Sequence, residues 1–152
     1  MFTTQQLKDE IAADPAGLGY GTVVDSNDDE RVAALINAKN FSGPVTRMIT
    51  ARGIIADLGT TVGVTVLEKL DAAKATNPAI KWVVKFLEQD AGIDIGHPTT
   101  QGAIDALQVG GLFTVEEAAA LKGLAFKPLS RAEVLWGHGV SVSPADVSLT
   151  RG

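Results

Sequence analysis

Residues 77–92 read Asn-Pro-Ala-Ile-Lys-Trp-Val-Val-Lys-Phe-Leu-Glu-Gln-Asp-Ala-Gly, and this stretch points most directly to a helical fold. Asn77 is a preferred N-cap residue, Pro78 suits the first helical position, and Gly92 is typical of a helix end, so a helix is predicted over about 78–90. Its apolar side chains cover an arc of roughly 200°, whereas an ordinary surface helix buries nearer 100°. The helix therefore lies centrally in a bundle, or packs on a core with one side and on a partner with the other.

Three capping boxes in the last third of the chain predict three short helices. Each box pairs a Ser or Thr N-cap with an acidic residue three positions later, so that side chain and backbone satisfy each other's hydrogen bonds. The helices are predicted over about 115–123, 131–136 and 144–149. The pairs are Thr114 with Glu117, Ser130 with Glu133, and Ser143 with Asp146.

Two helices are predicted in the N-terminal quarter. Thr3 or Thr4 can cap the first, and Asp14-Pro15 ends it after Ala13. The second begins at Ser26, and the acidic residues in its first turn suit the positive end of the helix dipole.

The middle of the chain is also predicted to be helical. Two segments, 51–58 and 61–76, are separated by Gly59, and a further helix runs from Pro98 to Gln108. The valines between residues 61 and 67 alternate as in a strand, but the unbroken run after them favours a helix. Residues 45–50 fit either a short strand or a loop that leads into a helix.

Length and composition are typical of one globular domain. The chain has 152 residues, of which 45% are hydrophobic and 20% charged. A chain of this length buries a core without disulfides or a structural metal. With no repeat or linker visible, the sequence predicts a single mainly α domain over residues 1–152. We expect a small helical bundle with about seven to eight helices, several short, and at most a minor β-hairpin.

Charge and hydropathy disfavour two classes of partner. The net charge is -5, and the 13 basic residues are scattered from Lys8 to Arg151, whereas nucleic-acid binding normally requires a basic face. No apolar run approaches the length of a membrane span. Residues 1–10 lack the apolar core of a signal peptide, so the protein is expected in the cytoplasm when it is made. The sequence predicts neither nucleic-acid nor membrane binding.

Two motifs resemble ligand-binding loops but lack the required context. Gly17-x-Gly19-x-Gly21 follows a predicted helix instead of a strand, so it is interpreted as a tight loop and not as a nucleotide-binding turn. Asp25-x-Asn27-x-Asp29 begins like a calcium loop, but Glu30 stands where that loop needs glycine and Ile36 where it needs glutamate. An acidic helix start explains this second motif.

Catalytic and metal-binding signals are missing. The chain has no cysteine, and its two histidines, His97 and His138, do not complete a typical zinc set. No nucleophile elbow, Walker A loop or His-Glu-x-x-His motif is present. The sequence therefore predicts no catalytic residue, no cofactor and no metal, and the protein is not expected to be an enzyme.

The most distinctive residues of the sequence lie at its two ends. At the N-terminal end they are Leu7-Lys8-Asp9-Glu10-Ile11 and Asp14-Pro15-Ala16-Gly17-Leu18-Gly19-Tyr20, followed by Asp28 to Asn37 of the second predicted helix. At the C-terminal end they are Ser130-Arg131-Ala132-Glu133, Trp136-Gly137-x-Gly139 and Val140-x-Val142-x-x-x-Asp146-Val147. In these residues the chain resembles a family of small proteins that tailed bacteriophages encode in their virion structural gene modules, whereas the middle, from Val45 to Gly111, matches only in being helical. The resemblance implies a class of protein but no catalytic residue.

This resemblance implies a virion structural or assembly protein, a subunit of the neck, tail or capsid surface. Such a protein is made in the bacterial host cytoplasm and then enters the virion, where it contacts other virion proteins or further copies of itself. The alternative is a small adaptor or regulatory protein, absent from the virion, that binds a host or phage protein. Aromatic side chains carry much of the energy of such contacts. The predicted core or interface anchors are Tyr20, Trp82, Phe86 and Trp136.

Overall fold

The computed structural model describes residues 1–152 and shows a mainly α chain with nine helices and two small antiparallel sheets of two strands each. The mainly α prediction is confirmed, with one helix more than the seven to eight expected. No helix has both the length and the apolar character needed to span a membrane. The helices are α1 (Thr4–Ala13), α2 (Tyr20–Val24), α3 (Asp29–Asn37), α4 (Ala51–Ala73), α5 (Pro78–Leu87), α6 (Pro98–Val109), α7 (Val115–Gly123), α8 (Arg131–Trp136) and α9 (Pro144–Leu149).

The strands are short and pair segments that are distant in sequence. They are β1 (Phe41–Pro44), β2 (Met48–Ile49), β3 (Ile93–Asp94) and β4 (Phe126–Leu129). β1 pairs with β4, and β2 pairs with β3 so that Met48 faces Asp94 and Ile49 faces Ile93. The stretch 45–50, for which the sequence left a strand and a loop as alternatives, thus contains one two-residue strand.

Local capping signals place most helix ends. All three predicted capping boxes are formed, and Thr3 with Gln6 forms a fourth at the start of α1. The Asn77 side chain accepts the backbone N–H groups of Ala79 and Ile80, with Pro78 at the first helical position. The α5 helix ends at Leu87, three residues before the predicted end.

Gly59 interrupts α4 where the sequence predicted a break. Its φ of 78° and ψ of 169° are not helical, whereas the residues on either side of it have helical geometry. The alternating valines that follow lie in the helix, because one side of this segment packs into a core through Val66 and Leu70. The helical interpretation of this segment is confirmed.

The chain divides into two compact units, although the sequence was interpreted as one domain over residues 1–152. Unit 1 consists of Met1–Gly43 and Pro128–Gly152, and unit 2 of Pro44–Lys127. Each boundary falls inside a short strand, β1 or β4, so no polar or glycine-rich linker marks it in the sequence.

Each unit has its own hydrophobic core. The core of unit 1 is built from the two ends of the chain, and its buried residues are Leu7, Ile11, Tyr20, Val23, Val32, Ala33, Ile36, Ala132, Val142 and Val147. The core of unit 2 is built from the middle of the chain, and its buried residues are Ile49, Ile54, Val66, Leu70, Ile80, Leu87, Ile95, Ile104, Phe113, Ala118, Leu121 and Ala125.

The two ends of the chain fold together in unit 1. Asn37, the last residue of α3, joins them: its side chain donates to the carbonyl oxygen of Val142 at 2.7 Å and accepts the Val142 N–H at 2.9 Å. An asparagine side chain that pairs with a backbone in this way replaces one step of a β ladder. The C-terminal segment before α9 is therefore held without forming a strand.

Candidate interaction surface

The α5 helix presents two different sides. Ile80 and Leu87 are buried at 5% and 3% exposure in the core of unit 2, whereas Trp82 is 53% and Phe86 42% exposed. Of the alternatives that the sequence left open, a central core helix is excluded by this exposure. The helix packs on a core with one side and turns two large aromatic rings to solvent with the other. We call Trp82, Phe86 and the neighbouring Lys81 and Lys85 the α5 face.

The two rings of the α5 face lie side by side. Their centroids are 6.0 Å apart with an interplanar angle of 31°. The Lys85 ammonium lies 4.7 Å from the centroid of the Trp82 ring, within the range of a cation–π contact. Lys81 and Lys85 take part in none of the ion pairs of the structure. The face is therefore aromatic with two lysines that form no ion pair, although Glu88 lines the same surface hollow as Lys81, Trp82 and Lys85.

A mostly apolar cleft of about 280 Å³ adjoins the α5 face through Phe86. Phe86 and Val83 of α5 line one side, and Ala103, Ile104 and Leu107 of α6 line the other. An apolar cavity of about 150 Å³ is already large enough to hold a benzene molecule. Phe86 thus borders both the exposed face and an incompletely filled interior.

The other two predicted anchors belong to unit 1. Tyr20 is fully buried, its hydroxyl has no hydrogen-bond partner, and burial together with the Glu10 and Asp14 carboxylates raises its pKa. Trp136 is partly buried against the unit 1 core, with its ring 4.7 Å from that of Phe2. Tyr20 is therefore a core residue and Trp136 closes the edge of a core, whereas Trp82 and Phe86 are the exposed pair.

Asp14 organises the glycine-rich loop that resembles a nucleotide-binding turn. Its carboxylate accepts the backbone N–H groups of Leu18 at 2.7 Å, Gly19 at 2.8 Å and Tyr20 at 3.3 Å. Partial burial raises the pKa of Asp14, but these hydrogen bonds together lower it below its usual value. The N–H groups that would hold a phosphate in a nucleotide-binding loop are occupied by the protein's own carboxylate.

Side-chain hydrogen bonds explain two helix starts that the sequence did not predict correctly. Asp14 supplies the acceptor that Gly19 lacks at the start of α2, a five-residue helix that the sequence placed in a loop. The start of α3 was placed at Ser26, but Asp28 is its N-cap because its side chain accepts the Arg31 N–H. Ser26 instead donates its hydroxyl to the Val23 carbonyl at the end of α2.

Glu133 does more than complete its capping box. Besides the Ser130 N–H, its carboxylate accepts the Gly139 N–H at 3.1 Å and pairs with the Lys39 ammonium. The Lys39 hydrogen bond, followed by those of Ser130 and Gly139, lowers the pKa of Glu133 to about 2. The capping box was visible in the sequence, but the contact with Lys39 spans 94 residues and had no local signal.

The two histidines lie at the surface. The His97 ring accepts the Thr99 N–H at 3.2 Å and so acts as the N-cap of α6, and His138 is exposed between two glycines. Asp94 accepts the N–H groups of Arg47 and Gly96. No group of three or more His, Asp and Glu side chains lies close enough together to hold a metal ion.

The chain matches no family model, no curated protein and no solved structure. On the surface, the α5 face combines two exposed aromatic rings with two lysines that form no ion pair. Isolated exposed apolar residues are common on proteins, but adjacent large aromatic rings are typical of binding sites.

Proposed function

We propose that the protein is a bacteriophage virion structural or assembly protein, a neck-, tail- or capsid-associated subunit that acts through protein–protein contacts. The observation that carries the proposal is the α5 face, where Trp82 and Phe86 are about half exposed on a helix whose other side is packed in a core. Aromatic residues are strongly enriched among those that contribute most to protein interfaces. Covering these rings with a partner removes apolar surface from water and so favours association.

The resemblance of the two ends supports the same function. The matching residues of both ends fall in unit 1, where they cap helices and hold loops instead of lining a reaction site. Under this proposal the protein is made in the host cytoplasm, enters the particle and contacts other virion proteins or further copies of itself.

The test is whether purified particles contain the protein and whether the α5 face holds it there. The phage that encodes the protein is grown with wild-type protein, with Trp82→Ala/Phe86→Ala, or with the control Phe126→Ala. Phe126 is also exposed in unit 2, at 43%, but lies on β4. We expect the double variant to fall at least about tenfold in gradient-purified particles, and the control to stay at the wild-type level.

Two other outcomes would argue against this proposal. If the wild-type protein is absent from purified particles and is recovered from infected cells with a host or phage protein, it is an adaptor. If the protein is present in particles and the double variant enters them as efficiently as wild type, the α5 face is not the contact. Circular dichroism of the purified variants checks that each keeps the helical content of the wild type.

A further inference from the structure

Unit 1 carries a hollow of about 260 Å³ at its surface. Its apolar part is formed by Ile11 and Ala12 of α1 and by Gly21 and Val24 of α2. A cavity of about 150 Å³ accommodates benzene, so this hollow has room for the larger indole ring of a tryptophan. The remaining lining residues, at the rim, are Asp25, Lys8, Thr150 and Arg151.

The surroundings of the hollow are acidic. Unit 1 has nine acidic and five basic residues, whereas unit 2 has nine and eight. Asp25 and Glu30 are exposed and form no ion pair, and the rim residue Arg151 is already paired with Asp29. Lys8 is the one rim cation without an ion pair, so Asp25 and Lys8 are the two unpaired charges of the rim itself, and the excess of acid comes from the residues that follow Asp25 in the sequence.

We infer that Trp82 of one copy binds in this hollow of a second copy. Lys81 and Lys85 of the first copy then face Asp25 and the acidic residues 28–30 of the second. The inference rests on the proposed function, in which the α5 face is a contact surface, and it names a partner for that face. The two surfaces are complementary in apolar character and in charge. An aromatic ring with flanking positive charges meets an apolar hollow in an acidic region.

Such a contact is heterologous, because it joins two different surfaces of the same chain. Each pair of copies leaves one unused Trp82 and one unused hollow, so further copies can add at either end. A subunit repeated in a particle is expected to associate in this way. A symmetric contact between two α5 faces would instead stop at the dimer and would bring four lysines together.

The decisive experiment mixes two variants of the full chain that each keep one surface. Trp82→Ala removes the ring but leaves the hollow, and Ala12→Trp fills the hollow from an exposed position of α1 but leaves the ring. In sedimentation velocity, wild type is expected to self-associate with increasing concentration. Each variant alone is expected to be monomeric, with association at least about thirtyfold weaker. An equimolar mixture should form a dimer and nothing larger.

A charge exchange tests the same contact independently. Lys81→Glu/Lys85→Glu should abolish self-association, and mixing it with Asp25→Lys/Glu30→Lys should restore association beyond the dimer. In the mixture the α5 face of each variant meets residues of opposite charge at the hollow of the other, so the two variants can alternate. Rising salt should weaken the wild-type contact, because exposed charges are screened. Phe126→Ala serves as the control that leaves association unchanged. Melting curves of all variants show whether each is folded before its mass is interpreted.

Each result decides the inference separately from the proposed function. A monomeric wild type at millimolar concentration, or a mixture of Trp82→Ala with Ala12→Trp that stays monomeric, overturns the inference. So does an Ala12→Trp variant that still dimerises, since that result indicates α5 faces in contact with each other. If the mixed dimer forms but the protein is absent from particles, the inference stands and the virion role fails.

Discussion

Single carboxylates hold together segments that have little regular structure of their own. Asp14 fixes the loop between α1 and α2 through three backbone N–H groups, and Glu133 joins the start of α8, the Gly139 turn and Lys39. A carboxylate is suited to this task, because hydrogen bonds to a charged acceptor are about twice as strong as neutral ones. Both residues therefore act in folding, because they hold loops of unit 1 in place.

Glu133 makes the stability of unit 1 depend on pH in the acidic range. Its pKa of about 2 in the folded protein is lower than the ordinary value of 4.5, so the charged carboxylate favours the folded state. This contribution is complete above about pH 4.5 and is lost as the pH falls toward 2, because the unfolded chain then binds the proton first. We expect Glu133→Gln to be less stable than wild type at pH 7, and the difference to shrink between pH 5 and pH 2.

Urea unfolding at several pH values measures this difference. The matched control is Glu68→Gln, which alters an exposed glutamate inside α4 that makes no hydrogen bond. The control should follow the wild-type curve over the whole range. A Glu133→Gln variant whose destabilisation is the same at pH 3 as at pH 7 would show that the charge of Glu133 contributes nothing.

At the scale of the element, the sequence predicted those helices whose starts are fixed by hydrogen bonds between neighbouring residues. The helices α7, α8 and α9 have the predicted bounds, because each capping box is complete within four residues. The α2 helix was missed because its capping carboxylate lies six residues before its first residue, Tyr20. The aromatic pair on α5 was recognised, but its exposure could not be predicted, since periodicity does not tell which side of a broad apolar arc meets a core.

The two sides of α5 are expected to respond differently to truncation. Ile80→Ala removes buried methyl and methylene groups from the unit 2 core and should cost about 2–5 kcal/mol of unfolding free energy. Trp82→Ala removes a ring that is about half exposed and should cost less than about 1 kcal/mol in the monomer. Urea unfolding at low protein concentration compares the two variants. Equal losses would mean that the Trp82 ring is packed and not free to bind.

The break at Gly59 is expected to need glycine. With φ of 78° and ψ of 169°, this backbone conformation is essentially restricted to glycine, and another residue there costs about 1–3 kcal/mol. No atom lies within 4 Å of a Cβ added at Gly59, so the cost of Gly59→Ala is one of backbone strain alone.

Gly102→Ala is the matched control, because Gly102 lies inside α6 with helical geometry and equally open space. It should stabilise the protein by about 0.5–1 kcal/mol, since alanine loses less backbone freedom on folding. Thermal melts of both variants measure the effects. A neutral or stabilising Gly59→Ala would show that α4 can continue straight through residue 59.

At the scale of the whole molecule, the sequence predicted the helical class but not the division into two units. Composition and the spacing of helix caps, glycines and prolines do not change at the boundaries. Each boundary, at residues 43–44 and 127–128, falls inside a strand. The contacts that create unit 1 join residues more than 100 positions apart, such as Glu10 with Arg131 and Asn37 with Val142. Patterns read over a few turns of helix carry no information about such pairs.

The separate cores predict that the middle of the chain folds by itself. Twelve buried residues form the core of unit 2, and all of them lie between residues 44 and 127. A fragment of these residues is long enough to be stable without disulfides or a metal, because domains of about 55–65 residues already fold alone. We expect the fragment to show a helical circular dichroism spectrum and a single cooperative melting transition.

A chain that contains only unit 1 tests whether the core formed by the two ends also folds by itself. Joining Gly43 to Pro128 through a short glycine-serine linker removes unit 2, and the side chain of Leu129 already lies next to Gly43. Unit 1 keeps its whole core and the ion pair between Glu10 and Arg131, so it should also fold. An unstructured fragment 44–127, or a joined unit 1 that fails to fold, would show that the core of that unit does not suffice alone. Failure of both would show that the chain behaves as the single domain its sequence suggests.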